Sequence, residues 1–384
     1  MRGAYAAGVL RGITEVLALS ASDRPPFTIF SGTSIGAINA SYLAANAHRG
    51  DLATDGLVSM WTSIDVKEFL HVRPFAVVPS LFRRGKEELS HSLLDPEPLE
   101  KLVKSHDQWD ELHANIASGR ARALIVAALD ASSGLTTLFC ECAPDAGITT
   151  TTNPYRTTVL TTITPDHLLA SSAIPVLFPP RRIGDRLYFD GGLRYNTPIS
   201  PTIRAGADKL VVISLASPEE GERQKSDEGA AVADGPGLVF LLGKLLNTLV
   251  LDPIDYDLQV LDRTNALARI LDDEVTPTVR AKIDAQLAAS RGAPYRVVEN
   301  LVFRPSTDLG KLAARYLREV GTDFPTDFVS RMVLKRAATA DVEAADWATF
   351  LLFDGRFAER LVQAGRDDAH ARAKEIEIFF GDVV

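Results

Sequence analysis

Residues 26–40 read Pro-Phe-Thr-Ile-Phe-Ser-Gly-Thr-Ser-Ile-Gly-Ala-Ile-Asn-Ala, and the rest of the chain is organised around this stretch. Thr28, Ile29 and Phe30 are β-branched or aromatic and predict a short buried strand. Gly32-Thr33-Ser34-Ile35-Gly36 follows, and a helical run then extends from Ala37 to His48. A serine between strand and helix, with glycines two residues before and after it, is the nucleophile-elbow pattern. The glycines leave room for crowded backbone, and the turn lifts the hydroxyl above the sheet edge. Ser34 also opens a helix, where free amides favour negative charge building nearby. The bare spacing also occurs in ordinary small-residue turns, so the weight lies on the strand–turn–helix context.

The chain has 384 residues, enough for one large domain or two smaller ones. Its formal net charge of −9 argues against nucleic acid and against simple electrostatic capture by anionic membranes. Cys140 and Cys142 share one face of an expected strand without an accompanying Cys/His cluster, which reads as structural thiols in a reducing compartment. No signal peptide is visible. The longest apolar run, Leu238 to Leu251, contains Gly243, Lys244 and Asn247 and is too short to span a bilayer. A cytoplasmic chain, at most peripheral at a membrane, is the expectation.

Before the elbow, Val9, Leu10, Ile13, Val16 and Leu17 predict a helix from Ala4 to Leu19. Further helices are expected at Thr54–Ser63, Pro96–Ser105 and Asp107–Ser118. Between them, Phe69 to Lys86 mixes prolines, large apolar residues and Arg73, Arg83, Arg84 and Lys86. It reads as a packed connecting loop or as a cap touching lipid. Leu124–Asp130 is a continuous apolar run typical of a parallel strand covered on both faces. A turn at Ser132-Ser133-Gly134 leads to a second strand, Leu135–Cys142, so the pair predicts a hairpin. A helix start at Asp166–Ser172, a tight crossing at Ala173–Pro180, a strand at Arg186–Phe189, a helix at Thr197–Ala205 and a buried strand at Leu210–Ser214 complete this part.

Residues 217–236 are charged and rich in glycine and alanine, the composition of a flexible linker or insertion. Beyond it, helices are expected at Leu238–Leu251, Ile254–Leu271, Thr278–Ala289, Gly310–Val320, Asp327–Ala337, Asp341–Leu352 and Phe357–Ile378. One strand, Tyr295–Phe303, interrupts them and needs a sheet to join. The organisation expected is a catalytic core over 1–216 and a mostly helical part over 237–384 that packs onto the same sheet.

A nucleophilic serine needs a base and oxyanion donors. Asp190 ends a strand and is followed by Gly191 and Gly192, which places a carboxylate at the sheet edge where α/β ligand sites fall. The same dipeptide also suits a plain Asp-Gly turn. His167 opens a helix after Pro165-Asp166 and reads either as a capping-region residue or as the base of a Ser-Asp-His triad with Asp130.

Four separated motifs then resemble the patatin-like phospholipases. These are Gly32–Ala40, Ala170–Pro175 with Phe178-Pro179-Pro180, Asp190-Gly191-Gly192 with Asn196-Thr197-Pro198, and Arg2–Tyr5 leading to Gly8-Val9-Leu10. The resemblance covers about Met1 to Ser214. It implies a three-layer α/β/α sandwich and hydrolysis of lipid acyl esters through an acyl-serine intermediate, with no metal or other cofactor. It also implies Ser34 as nucleophile and Asp190 as base, without a histidine. Arg2, Gly3, Gly32, Ile35 and Gly36 are implied as oxyanion and elbow residues, and lipid presented transiently at a membrane or micelle surface as the substrate.

That family carries a Gly-Gly-Gly-x-Arg-Gly oxyanion loop after a first strand, and here Met1 stands at the x position before Arg2-Gly3. The expectation is that strand and glycines lie upstream of Met1. The alternative is a natural variant of low activity, or a protein that binds lipid or a partner without catalysis. Loss of one oxyanion donor costs about 10²–10³ in rate.

Overall fold

Ala123–Asp130 (β2) is apolar up to its terminal aspartate, and the other strands of the main sheet are placed by their pairing to it. In the computed structural model all residues are described except 21–22, 24, 70–91, 93, 107, 145, 147–152, 196, 219–253, 321–351 and 382–384. Ile29–Thr33 (β1) runs parallel to β2, and Thr136–Cys142 (β3) returns antiparallel to it as the expected hairpin. Arg156–Leu160 (β4) adds parallel to β3. On the other side, Arg181–Ile183 (β5) and Arg186–Asp190 (β6) form an antiparallel pair, with β6 antiparallel to the end of β2. The sheet is therefore mixed. The apolar run of β2 reflects helices over both faces, not parallel neighbours throughout.

Alternate residues of β2 face opposite layers. Leu124, Val126 and Ala128 join the large core with Ile38, Leu57 and Leu112, which come from Ile35–Ala45 (α2), Leu52–Thr62 (α3) and Trp109–Ala117 (α6). Ala123, Ile125 and Ala127 face a smaller cluster with Tyr195 and Ala205, the latter at the end of Ile199–Arg204 (α8). Two short helices lie between α3 and α6, Val66–Phe69 (α4) and Glu97–His106 (α5), and Pro165–Ser171 (α7) precedes β5. The result is an α/β/α sandwich, the layering expected from the sequence.

Lys209–Ile213 (β7) pairs in parallel with Glu299–Phe303 (β8). The C-terminal strand thus joins a strand of the 1–216 segment. Among the described residues the pair forms a sheet of its own, and Ile29 of β1 packs against its core. Ile254–Asp273 (α9) covers this pair through Ile254 and Leu261, and Pro277–Arg291 (α10) follows it. Among the described residues, Leu309–Val320 (α11), Gly355–Ala371 (α12) and Ala373–Phe380 (α13) make up the rest of the helical C-terminal region.

The first helix, Gly3–Val16 (α1), packs along α12. Tyr5 Oη donates to Asp368 at 2.8 Å, and Glu15 accepts from Arg366 at 2.9 Å and meets His370 at 2.9 Å.

Several boundaries differ from the sequence-based expectation. The first helix stops at Val16, because Ala18 turns to φ 51°. The helix expected at 357–378 breaks at Arg372, whose guanidinium is engaged by Val302 O and Glu375 and lies over the Phe303 ring. That break turns Ile376, Phe379 and Phe380 into the core. The expected strand 295–303 is shorter, and β4, β5 and α4 were not expected. Almost all of the 69–86 segment and of the 217–236 stretch, the helices expected at 238–251 and 327–337, and all but the last residue of the one expected at 341–352 lie outside the described residues.

Candidate active site

β1 and β6 share one edge of β2 from opposite directions. Thr33, the last residue of β1, pairs with Ala127, and Asp190, the last residue of β6, pairs with Ala128. Two strand ends therefore meet head to head on adjacent β2 residues, which brings Ser34 and Asp190 together although 156 positions separate them (190 minus 34). Gly191 must be small there, since a Cβ would lie 2.5 Å from Ala127 O. Gly32 is likewise forced, as its Cβ would meet the Gly36 carbonyl at 2.2 Å.

Ser34 sits at φ 55°, ψ −128°, a backbone conformation that L-residues rarely adopt. Strain of this kind persists only where the surroundings enforce it. Here the Ser34 N–H donates to Ser171 Oγ at 2.8 Å, and the Ser171 hydroxyl donates to Ala127 O at 2.6 Å. Thr33 Oγ1 donates to Tyr195 O at 3.1 Å on the preceding residue. The Ser34 carbonyl already accepts from Ala37 N–H at 2.9 Å, so the helix begins directly at the serine.

Asp190 is 5 % exposed. Burial pushes its pKa up to about 7, against hydrogen bonding from the Ser34 side chain and the Gly192 amide, which favour the charged form. The Gly192 N–H donates to Asp190 Oδ1 at 2.8 Å, and the Asp190 N–H to Ala173 O at 3.0 Å. A carboxylate that ionises near neutrality beside a serine hydroxyl is poised to take its proton.

The two side chains border a cleft whose empty space, open solvent included, is about 860 Å³. Ile35 and Gly36 border it from the first turn of α2, and Arg2 from the start of α1. The crossing after α7 contributes Ile174, Pro175 and Phe178, folded inward by a turn in which Val176 takes φ 71° and Phe178 N–H donates to Ile174 O at 2.9 Å. Leu99, Leu193, Leu215 and Phe353 complete an apolar wall. Gly3 is not on the cleft. Its carbonyl accepts from Asn39 Nδ2 at 3.0 Å, and Asn39 Oδ1 accepts from Trp61 Nε1 at 2.8 Å, a buried chain that fastens the start of α1 to α2.

The residues of the triad reading point elsewhere. His167 Nδ1 accepts from the Thr164 N–H at 3.0 Å and its ring packs edge-on against Phe139 at 4.5 Å. Burial holds its pKa below the ordinary value. Asp130 accepts from Arg186 at 2.6 Å and from the Ser132 amide at 2.8 Å. Neither residue lines the cleft. Cys140 and Cys142 are free, and burial pushes their thiols up to about 12 and about 11. No described helix is long and apolar enough to cross a membrane.

Several contributors carry no site signal in the sequence: Ser171, and Leu99, Leu193, Leu215 and Phe353 of the cleft wall. Ser171 stood inside a quoted motif, but its tie to the Ser34 amide requires the register of β2. Phe353 carries no motif signal at all. Asn196 of the third motif lies outside the described residues.

A mixed sheet between helical layers, with a serine on a strained elbow above its edge and an apolar cleft beyond, is an α/β/α architecture carrying a candidate hydrolytic site. Residues 1–203 match the patatin-like phospholipase family, and the chain belongs to it. No match was found among curated proteins.

Proposed function

We propose that the protein is a lipid acyl hydrolase of phospholipase or lysophospholipase type working through a Ser34–Asp190 dyad. Ser34 Oγ attacks the ester carbonyl carbon while its proton passes to the Asp190 carboxylate. The tetrahedral intermediate collapses with cleavage of the acyl C–O bond, and Asp190 returns the proton to the leaving alcohol. Water then attacks the acyl-serine by the same route in reverse, releasing the fatty acid and restoring Ser34.

The observation that carries this reading is the head-to-head meeting of β1 and β6, which sets the Ser34 side chain on a buried carboxyl. The Ser34 amide is occupied by Ser171, so the oxyanion donors assigned are the Ile35 and Gly36 amides in the first turn of α2, where helical N–H groups lack intrahelical partners. Arg2 adds positive charge at the same cleft. Substrate is drawn from a micelle or membrane surface, its acyl chain passing into the apolar cleft. The test is fatty-acid release from phospholipid micelles and p-nitrophenyl esters by the wild type and Ser34→Ala. Release that depends on Ser34 supports the reading, and equal release by both proteins overturns it.

A further inference from the structure

We propose that Phe353, from the helical C-terminal region, forms part of the wall that receives the substrate's acyl chain and sets the preferred chain length. The inference rests on the ester-hydrolase reading above and deepens it. Phe353 is the cleft residue most remote in sequence from the elbow and lies far outside the 1–203 stretch that matches the family. It is 5 % exposed and borders the same cavity as Ser34, Leu99 and Phe178.

Its position is fixed from both sides. Leu352 before it is fully buried. After it, the Asp354 carboxylate accepts from the Arg356 N–H at 2.8 Å and caps α12. The Gly355 N–H donates to Ile64 O at 2.8 Å, and a Cβ on Gly355 would stand 2.1 Å from Thr62 O. The backbone carrying the ring is thus pressed against the end of α3, while α12 is held along α1. A ring so anchored cannot swing aside for a longer chain at low cost, since close-packed interiors resist displacement. The catalytic dyad comes from the N-terminal segment, and one face of its cleft comes from the C-terminal one.

The test is a chain-length profile of kcat/KM on p-nitrophenyl esters from acetyl to palmitoyl. At interior packing density the six ring carbons occupy the room of about four methylenes. Phe353→Ala should therefore move the optimum to chains longer by about two to four carbons. Each methylene that gains burial raises kcat/KM about fourfold. Phe353→Leu should move it in the same direction by less, and carries the test if the alanine variant does not fold. Leu352→Ala, buried but off the cleft, should lower stability and leave the profile in place. A wild type that hydrolyses esters, with an unshifted profile in the Phe353 variants, overturns the inference alone. A wild type that hydrolyses no ester overturns the underlying reading and the inference with it.

Discussion

Replacing Asp190 by asparagine separates what this carboxyl does for catalysis from what it costs the fold. In the unfolded chain it ionises near its ordinary 3.8, whereas in the folded protein burial raises this to about 7. Ionisation is therefore harder in the folded state, and the fold loses stability as pH rises from about 4 to about 7 and above. The interval corresponds to about 4 kcal/mol at most. Asparagine has no charge to bury and keeps an oxygen for the Gly192 amide. Urea unfolding of both proteins across this pH range should show the variant gaining by up to about 4 kcal/mol relative to wild type between about pH 4 and about pH 8. The same substitution should lower ester hydrolysis by at least about 10²-fold, the lower end of what a general base contributes. Wild-type kcat/KM should rise with pH through a midpoint near 7 as Asp190 ionises. A stability difference that stays flat with pH would refute the account of a desolvated base.

Ser171→Ala leaves the Ser34 N–H without its side-chain partner. It should cost about 1–3 kcal/mol in urea unfolding and lower kcat more than it raises KM. His167→Ala should destabilise by about 1–2 kcal/mol through loss of the α7 cap, yet keep the pH–rate profile. A rate loss of about 10⁴-fold or more, the scale of losing a triad member, would restore histidine as the base. Ser34→Gly should exceed Ser34→Ala in stability by about 1 kcal/mol, because only glycine is at ease at φ 55°. Equal unfolding midpoints would contradict the strained elbow.

The elbow was legible because its requirements are local. Gly32, Ser34 and the apolar residues on either side state the strand, the turn and the helix within about a dozen positions. Asp190 was legible as a carboxylate before two glycines. Why it meets Ser34 was not, since that depends on two strands approaching β2 from opposite ends. β4 and β5 escaped notice because short, part-exposed runs such as Arg156–Leu160 lack the apolar alternation that marks a strand. The break at Arg372 also had no local signal. It arises from a guanidinium held by the carbonyl of β8, a contact made only once the C-terminal helices dock. Phe353 shows the same limit: an isolated phenylalanine acquires meaning only from the cavity it borders.

The central claim is that Ser34 is the nucleophile and Asp190 sets its reactivity. A fluorophosphonate probe, followed by peptide mass spectrometry over a pH series, tests it most directly. The account predicts a single phosphonyl adduct on the peptide containing Ser34, forming faster as pH rises through about 7 and far more slowly in Asp190→Asn. An adduct on another serine, or labelling of Ser34 at an equal rate in the Asp190 variant, would contradict it.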